Sequence, residues 1–420
     1  MGNSGLHDQH SRCFWVFTRV VPLLLVICGV VFISSCGKPP IQATANPASE
    51  WPMFLHDQQN TGRNDVSIKI PTHVVWSKRF KTDEHSRSVT SPIIYRGKVF
   101  CFTSDGFLRA LDLRDGSEVW RMSKLHISFT AKITPCGAKG RVVSFDGFSL
   151  YATLADKNET IWTNTVVPSA SSITSSLISE GDKIFFSTMD GSLNAVSLGN
   201  GKFVWRTKIL SGSDEDLAPC AAGGKVFVPS NKVLESNNQS IYCVDATTGK
   251  VLWNDDKSNA LIAGSVTYSS GNIYFGGISG TVFCLDSNDG HRVWSSTLSS
   301  SIMATPVVTG DLVVVADESG IVYGLDKQNG QQKWELDNQD DIRTPIVASR
   351  DFIIFATSSA FQSNLVFVDY KTGKVVKTLD LSKVSSSSNV GDIGTPVNLV
   401  VVKDRIILLT GDNAILCLGN

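Results

Sequence analysis

Nine cysteines and seven histidines are the side chains most able to do chemistry in this 420-residue chain. Beyond residue 100 the cysteines are Cys101, Cys136, Cys220, Cys243, Cys284 and Cys417, and no two of them are adjacent. Cys101, Cys243, Cys284 and Cys417 fall inside apolar, β-branched runs, which reads as small buried side chains. Six cysteines allow 15 pairings, and the sequence does not choose among them. His73, His85, His126 and His291 are scattered through different segments without metal-ligand spacing. There is no Cys-x-x-Cys-His haem signature, no His-Glu-x-x-His zinc signature, no Gly-x-x-x-x-Gly-Lys phosphate loop and no Gly-x-Ser-x-Gly nucleophile elbow. Asp214-Glu215-Asp216 has the chemistry to hold a cation or meet a basic partner, but a solvated charged loop is the plainer reading. The serine runs at 299–301 and 385–388 read as polar connections. The expectation is therefore no catalytic residue, no metal site and no cofactor.

Composition narrows the field further. Lys and Arg total 38 against 39 Asp and Glu, a net charge of −1, which does not suit a nucleic-acid binder. A hydrophobic fraction of 42% excludes an acidic disordered chain.

One cysteine has a distinct context. Arg12 and Arg19 precede an apolar run at residues 20–33, and Ile33-Ser34-Ser35-Cys36 follows. Fourteen residues are short for a bilayer span of roughly 20. They fit the apolar core of an export signal. The small residues before Cys36 resemble the bacterial lipobox, which implies cleavage after Ser35 and lipid on Cys36. Each buried CH₂ of an acyl chain contributes about 0.8 kcal/mol, so two or three chains hold a soluble domain firmly. Residues 1–35 are thus expected to be a lipoprotein signal peptide. Residues 36–50 are expected to be the lipidated cysteine and a flexible tether, reaching roughly 40 Å if extended. Gly37 rather than Asp follows Cys36. In enteric-type envelopes that permits the outer membrane.

The elements that must position everything else form a repeat. Trp recurs at Trp76, Trp120, Trp162, Trp205, Trp253, Trp294 and Trp334, at intervals of 44, 42, 43, 48, 41 and 40. A period near 40–45 built from strand-like runs is the signature of propeller blades. One unit opens with Thr305-Pro306-Val307-Val308, turns at Ser319-Gly320 and again at Asn329-Gly330, and closes on Lys333-Trp334. That is four short strands joined by Gly-containing turns. Eight openings occur: Ser91-Pro92, Thr134-Pro135, Ser175-Ser176, Ala218-Pro219, Gly264-Ser265, Thr305-Pro306, Thr344-Pro345 and Thr395-Pro396. The eighth unit lacks its fourth strand, and Val74-Val75-Trp76 is an orphan fourth strand before the first opening. Pairing the two ends would remove an exposed sheet edge. The fold expected is all-β: an eight-bladed β-propeller over residues 74–420, with four-stranded antiparallel blades, closed by pairing of N-terminal and C-terminal strands. Residues 51–73 precede it as a lead-in.

Leu285-Asp286-Ser287-Asn288-Asp289-Gly290-His291-Arg292-Val293-Trp294 resembles the tryptophan-docking repeat of PQQ-like propellers, with Asp eight and Gly four residues before Trp. Asp112/Gly116/Trp120, Asp245/Gly249/Trp253 and Asp326/Gly330/Trp334 match the same pattern. The resemblance covers essentially the whole mature chain, and residues 51–63 resemble the lead-in of stand-alone family members. Leu154 and Asn158 in the second blade, Ser197 in the third and Lys377 in the seventh depart from it, predicting weaker docking there. The seven tryptophans are expected to be structural, each wedged between neighbouring blades. A buried Trp removes some 150–250 Å² from water, worth about 4–6 kcal/mol as an upper bound.

Lipobox, eight repeats and missing catalytic groups together resemble the BamB-type outer-membrane assembly lipoproteins. That resemblance implies a non-enzymatic, lipid-anchored scaffold at the cell envelope. In a Gram-negative cell it would sit on the outer membrane facing the periplasm, as a monomeric propeller whose partners are proteins, a barrel-assembly complex among them. Two alternatives are a PQQ-dependent quinoprotein dehydrogenase with calcium, and a surface binder of carbohydrate or peptide. The insert at residues 231–240, with Asn231 and Asn238, the insert at 358–364, with Phe361, and Asp214, Glu215 and Asp216 are the candidate interaction loops, since loops on a rigid scaffold often carry binding.

Overall fold

The computed structural model describes residues 50–80, 90–103, 105–122, 133–165, 172–209, 217–230, 241–255, 258, 260–359, 362–387 and 394–420. Eight antiparallel sheets make up the ring. Blade 1 comprises Ile93–Tyr95, Lys98–Thr103, Phe107–Asp112 and Glu118–Met122; blade 2 comprises Cys136–Ala138, Arg141–Phe145, Ser149–Leu154 and Thr160–Thr165. Blade 3 is Ile178–Glu180, Lys183–Thr188, Ser192–Ser197 and Phe203–Lys208, and blade 4 is Cys220–Ala222, Lys225–Pro229, Ile241–Asp245 and Val251–Asp255. Blade 5 is Thr267–Ser269, Asn272–Gly276, Thr281–Asp286 and Arg292–Thr297, and blade 6 is Val307–Thr309, Leu312–Ala316, Ile321–Asp326 and Gln332–Asp337. Blade 7 is Val347–Ala348, Phe352–Ser358, Ser363–Asp369 and Val375–Asp380, with Asp341–Ile342 also paired to its second strand.

Blade 8 joins the two ends of the propeller. Its strands run in the order His73–Arg79, Ala414–Gly419, Arg405–Thr410, Pro396–Val402. His73 pairs with Gly419, Trp76 with Cys417 and Arg79 with Ala414, with a bulge at Val75. The ring is closed as the repeat predicts.

Burial follows from this geometry. The second and third strands of a blade are sandwiched between neighbouring blades, so they are apolar on both faces: Leu312–Ala316 is buried at every position. The outermost strands alternate, with Trp as the buried residue in Phe203–Lys208, Arg292–Thr297 and Gln332–Asp337.

Seven tryptophans reach from blade to blade. Each indole N–H donates to a backbone carbonyl in the third-to-fourth turn of the next blade: Trp76 to Leu113, Trp120 to Ala155, Trp162 to Leu198, Trp205 to Ala246, Trp253 to Ser287, Trp294 to Lys327 and Trp334 to Tyr370, at 2.9–3.2 Å. The indole lies flat on the turn. A Cβ on Gly116, whose φ is +71°, would stand 2.5 Å from Cε3 of Trp76. The Asp that opens the turn caps it: Asp369 accepts the backbone N–H groups of Lys371 and Thr372. In blade 3 the hydroxyl of Ser197 accepts the N–H of Gly199 instead. The dock onto blade 2 survives the loss of Asp and Gly, and Trp120 is buried there.

The junction between blades 7 and 8 differs. Lys377 is exposed, and a short helix, Leu381–Ser387, follows the outermost strand where a polar connection is expected from sequence. Asp380 caps it by accepting the N–H groups of Ser382 and Lys383, and Leu381 anchors it in the core.

Candidate functional site

The innermost strands of a propeller leave one backbone edge pointing at the central channel. Here the lead-in segment takes those edges. It starts at Glu50, whose carboxylate accepts the N–H of Arg96 in the first turn of blade 1. Trp51 and Ile94 exchange both backbone hydrogen bonds, at 2.7 and 2.8 Å. The carbonyl of Pro52 accepts from Gly137 of blade 2, that of Gln58 from Ala221 of blade 4, that of Gln59 from Tyr268 of blade 5, and that of Gly62 from Ala348 of blade 7. The fully buried amide of Asn60 donates to the carbonyls of Pro219 and Val266, and that of Asn64 to the carbonyl of Val401 in blade 8. Arg350 N–H, at the first turn of blade 7, donates to Val66. The segment therefore enters at the first-to-second turns, reaches the openings of blades 4 and 5, and returns to the face it came from.

Two residues of this plug, Leu55 and His56, hold φ values of +46° and +80°, a costly conformation for bulky side chains that persists only where the surroundings impose it. The cavity left beside Trp51, Phe54 and Leu55 is about 10 Å³, room for about one water molecule. That cavity is too small for a fused-ring quinone.

The two faces of the ring are unlike. Second-to-third turns and blade-to-blade connections share one face, and there Phe148 and Met189 are each 52% exposed, with Ile278 and Met303 also exposed. The opposite face, from which the plug inserts, presents Lys139, Asp182, Asp311, Arg350 and Asp404. A further set of exposed aliphatics, Val119, Ile161, Val204, Leu252, Val293 and Val376, sits on the outermost strands of blades 1 to 5 and 7, one residue before the docking position.

Reactive groups are put away or paired. All six cysteines after residue 100 are buried thiols without disulfides, and burial pushes Cys101, Cys243, Cys284 and Cys417 up to about 12. Buried Arg109 is held by Asp105 and Glu118, between the rings of Phe80 and Phe107. Among the described residues one group has metal-ligand chemistry within 4.8 Å: Asp286, Asp289 and His291, in the third-to-fourth turn of blade 5. Asp286 and Asp289 there already accept the backbone N–H groups of Asn288 and His291, as turn caps do.

Cys36, Asp214, Glu215, Asp216, Asn231, Asn238 and Phe361 lie outside the described residues, as do the expected signal peptide and all of the expected tether except Glu50. The residues that sequence reasoning missed are those of the plug, Trp51, Asn60, Gly62 and Asn64. Their signal was a Trp out of phase with the repeat, followed by small and amide residues with no strand pattern.

A family model described as outer membrane protein assembly factor BamB matches residues 71–255 and 237–420, the full propeller. The chain belongs to the BamB family. No curated protein matches it. Among solved structures, BamB from Moraxella catarrhalis superposes with a TM-score of 0.62 at 17% identity, covering 84% of this chain and 100% of that one. The quinohemoprotein alcohol dehydrogenase from Comamonas testosteroni gives 0.66 at 12% identity, over 90% of this chain and 81% of that one. The computationally designed Ika8 protein gives 0.64 at 15%, over 83% and 100%. At these identities the likeness is one of fold, shared by BamB, an oxidoreductase and a designed ring alike.

Proposed function

We propose that this BamB-family chain is a non-enzymatic, lipid-anchored propeller that works as a protein-interaction scaffold in outer-membrane β-barrel assembly. The observation that carries the reading is the plug. The axis is the one place where all the blades converge on a ligand, and it is filled by the chain's own backbone. Function then falls to the outer surfaces, where the exposed Phe148, Met189, Ile278 and Met303 give one face the apolar character of a docking surface. Buried thiols support the same reading, since a thiolate is the reactive form. The family supports the assembly role and the outer-membrane address, and the lipobox-like Ile33-Ser34-Ser35-Cys36 supports the anchor.

The test is capture of the tagged full-length protein from detergent-solubilised envelope. A scaffold of this kind retains a barrel-insertion subunit, and Phe148→Asp with Met189→Asp weakens that retention. Isolation without any such subunit contradicts the assembly role. The dehydrogenase alternative is tested separately, by adding the quinone and calcium and following dye-linked alcohol or sugar oxidation. Saturable activity would overturn the scaffold reading.

A further inference from the structure

Seven of the eight blade junctions carry a docked tryptophan, and the eighth does not. At the junction of blades 7 and 8 the residue in register with the docking position is Lys377, on the outermost strand Val375–Asp380, whose first four side chains are all exposed. The reason is topological. A dock needs a closed third-to-fourth turn in the next blade, and in blade 8 the third strand, Ala414–Gly419, and the fourth, His73–Arg79, come from opposite ends of the propeller. A tryptophan at 377 would have no turn to lie on.

The same junction is crossed from inside by the outgoing limb of the plug. Residues 62–64 run parallel to the innermost strand of blade 7: Ala348 N–H donates to Gly62 at 2.8 Å, and Asn64 N–H donates to Ala348 at 2.9 Å. Further along, Arg350 N–H meets the carbonyl of Val66, the Arg350 guanidinium meets the carbonyl of Asp65, and the Ser67 hydroxyl meets Asp351. From the same limb the Asn64 amide donates to Val401 of blade 8 at 3.0 Å. Val66 and Ile68 are buried in the cluster that holds Val347 of blade 7 with Leu399 and Val400 of blade 8. Thr72 N–H then donates to Gly419, and the chain continues as the outermost strand of blade 8.

We infer that residues 62–68 are an internal strap, joining blade 7 to blade 8 in place of the tryptophan dock that the closure of the ring removes. Residues 51–60 bind blades 1, 2, 4 and 5, which have docks of their own. At the junction of blades 7 and 8 the strap acts from the inside, alongside Leu381 of the helix, which is buried in the same cluster.

Hydrogen exchange on the full-length protein, read by peptide, tests this. Asn64→Ala is expected to speed exchange in residues 347–358 and 396–410 by on the order of tenfold or more, leaving blades 4 and 5 at the parent rate. Asn60→Gly, which keeps the left-handed backbone but removes the amide bonded to Pro219 and Val266, is expected to act on blades 4 and 5 and spare the junction. Should Asn64→Ala fail to fold, Ser67→Ala replaces it with the same expected pattern. Lys377→Trp is expected to leave the thermal midpoint unchanged. Uniform loosening of all blades by Asn64→Ala or its substitute, no loosening at the junction, or a clear rise in midpoint for Lys377→Trp would each overturn the inference.

Discussion

Trp294 lies across Gly330 of the following blade: a Cβ on Gly330 would stand 2.5 Å from Cε3 of the indole, whose N–H donates to the Lys327 carbonyl at 3.0 Å. Gly330 holds a φ of +73°, so both the backbone and the space exclude a side chain. Left-handed backbone costs an L-residue about 1–2 kcal/mol, and overpacking adds about 1–3 kcal/mol. Gly330→Ala is expected to destabilise by about 2–5 kcal/mol in denaturant unfolding. In a Trp294→Ala background the overpacking part vanishes, and the cost falls to about 1–2 kcal/mol, the backbone part alone. Equal costs in both backgrounds would place the clash elsewhere.

Arg109 is buried between two aromatic rings and bound to two carboxylates, Asp105 and Glu118, that keep about a quarter of their exposure. Breaking a buried pair costs about 3–5 kcal/mol, and the partly wet carboxylates hold the expected cost of Arg109→Ala near the lower end, about 3 kcal/mol. Arg109→Lys restores charge but neither fork nor stacking, and is expected to recover less than half of the loss. Full recovery by lysine in a thermal unfolding series would contradict the stacked geometry.

The thiols of Cys101, Cys243, Cys284 and Cys417 are pushed by burial up to about 12. Peptide-resolved alkylation of the native protein at pH 8 is expected to leave all four unmodified, and to modify all four in denaturant. Rapid native labelling of any one would mean that its blade opens locally.

Acid dependence has two opposed parts. Burial raises the Glu50 and Glu180 carboxyls above the usual range, against the pull of the Arg96 N–H and of Lys183 respectively. Their contribution is full below the unfolded value of 4.5 and is lost as the pH rises through the folded one. Turn aspartates behave oppositely. Asp112 is held low chiefly by Arg114, Asp245 by the Thr248 N–H, Asp326 by Lys333 and Asp380 by the Ser382 hydroxyl. Their contribution is full above 3.8 and is lost as the pH falls through the lower folded values. The thermal midpoint is expected to drop below about pH 4, and Glu50→Gln is expected to reduce the loss of stability as the pH rises above 4.5. An unchanged profile in Glu50→Gln would show that its burial is not felt.

The ring was legible in the sequence because most blades repeat one physical requirement, a tryptophan on a glycine turn capped by aspartate, and seven tryptophans at a spacing of 40–48 residues set the period. The closure at Trp76 and Cys417 was legible for the same reason: an orphan fourth strand at one end matched a missing one at the other. The plug was not legible. Residues 51–68 bury themselves through backbone hydrogen bonds and the amides of Asn60 and Asn64, and such bonds leave no apolar period to read. The helix at Leu381–Ser387 was hidden likewise, since serines are common in connections and only Leu381 and Val384 mark its packed side. The candidate loops follow from insert length and from the charge of Asp214-Glu215-Asp216, whereas the exposed Phe148 and Met189 sit on turns of ordinary length.

The central claim is that the channel is filled by the chain itself. The amides of Gly137, Ala221, Tyr268 and Ala348 point into that channel and have residues 52–62 as their hydrogen-bond partners. Residue-resolved hydrogen exchange of these four measures the plug directly. They are expected to exchange as slowly as the ladder amides between the second and third strands of the same blades. Exchange within seconds, at the rate of free surface amides, would mean an open channel and would contradict the account.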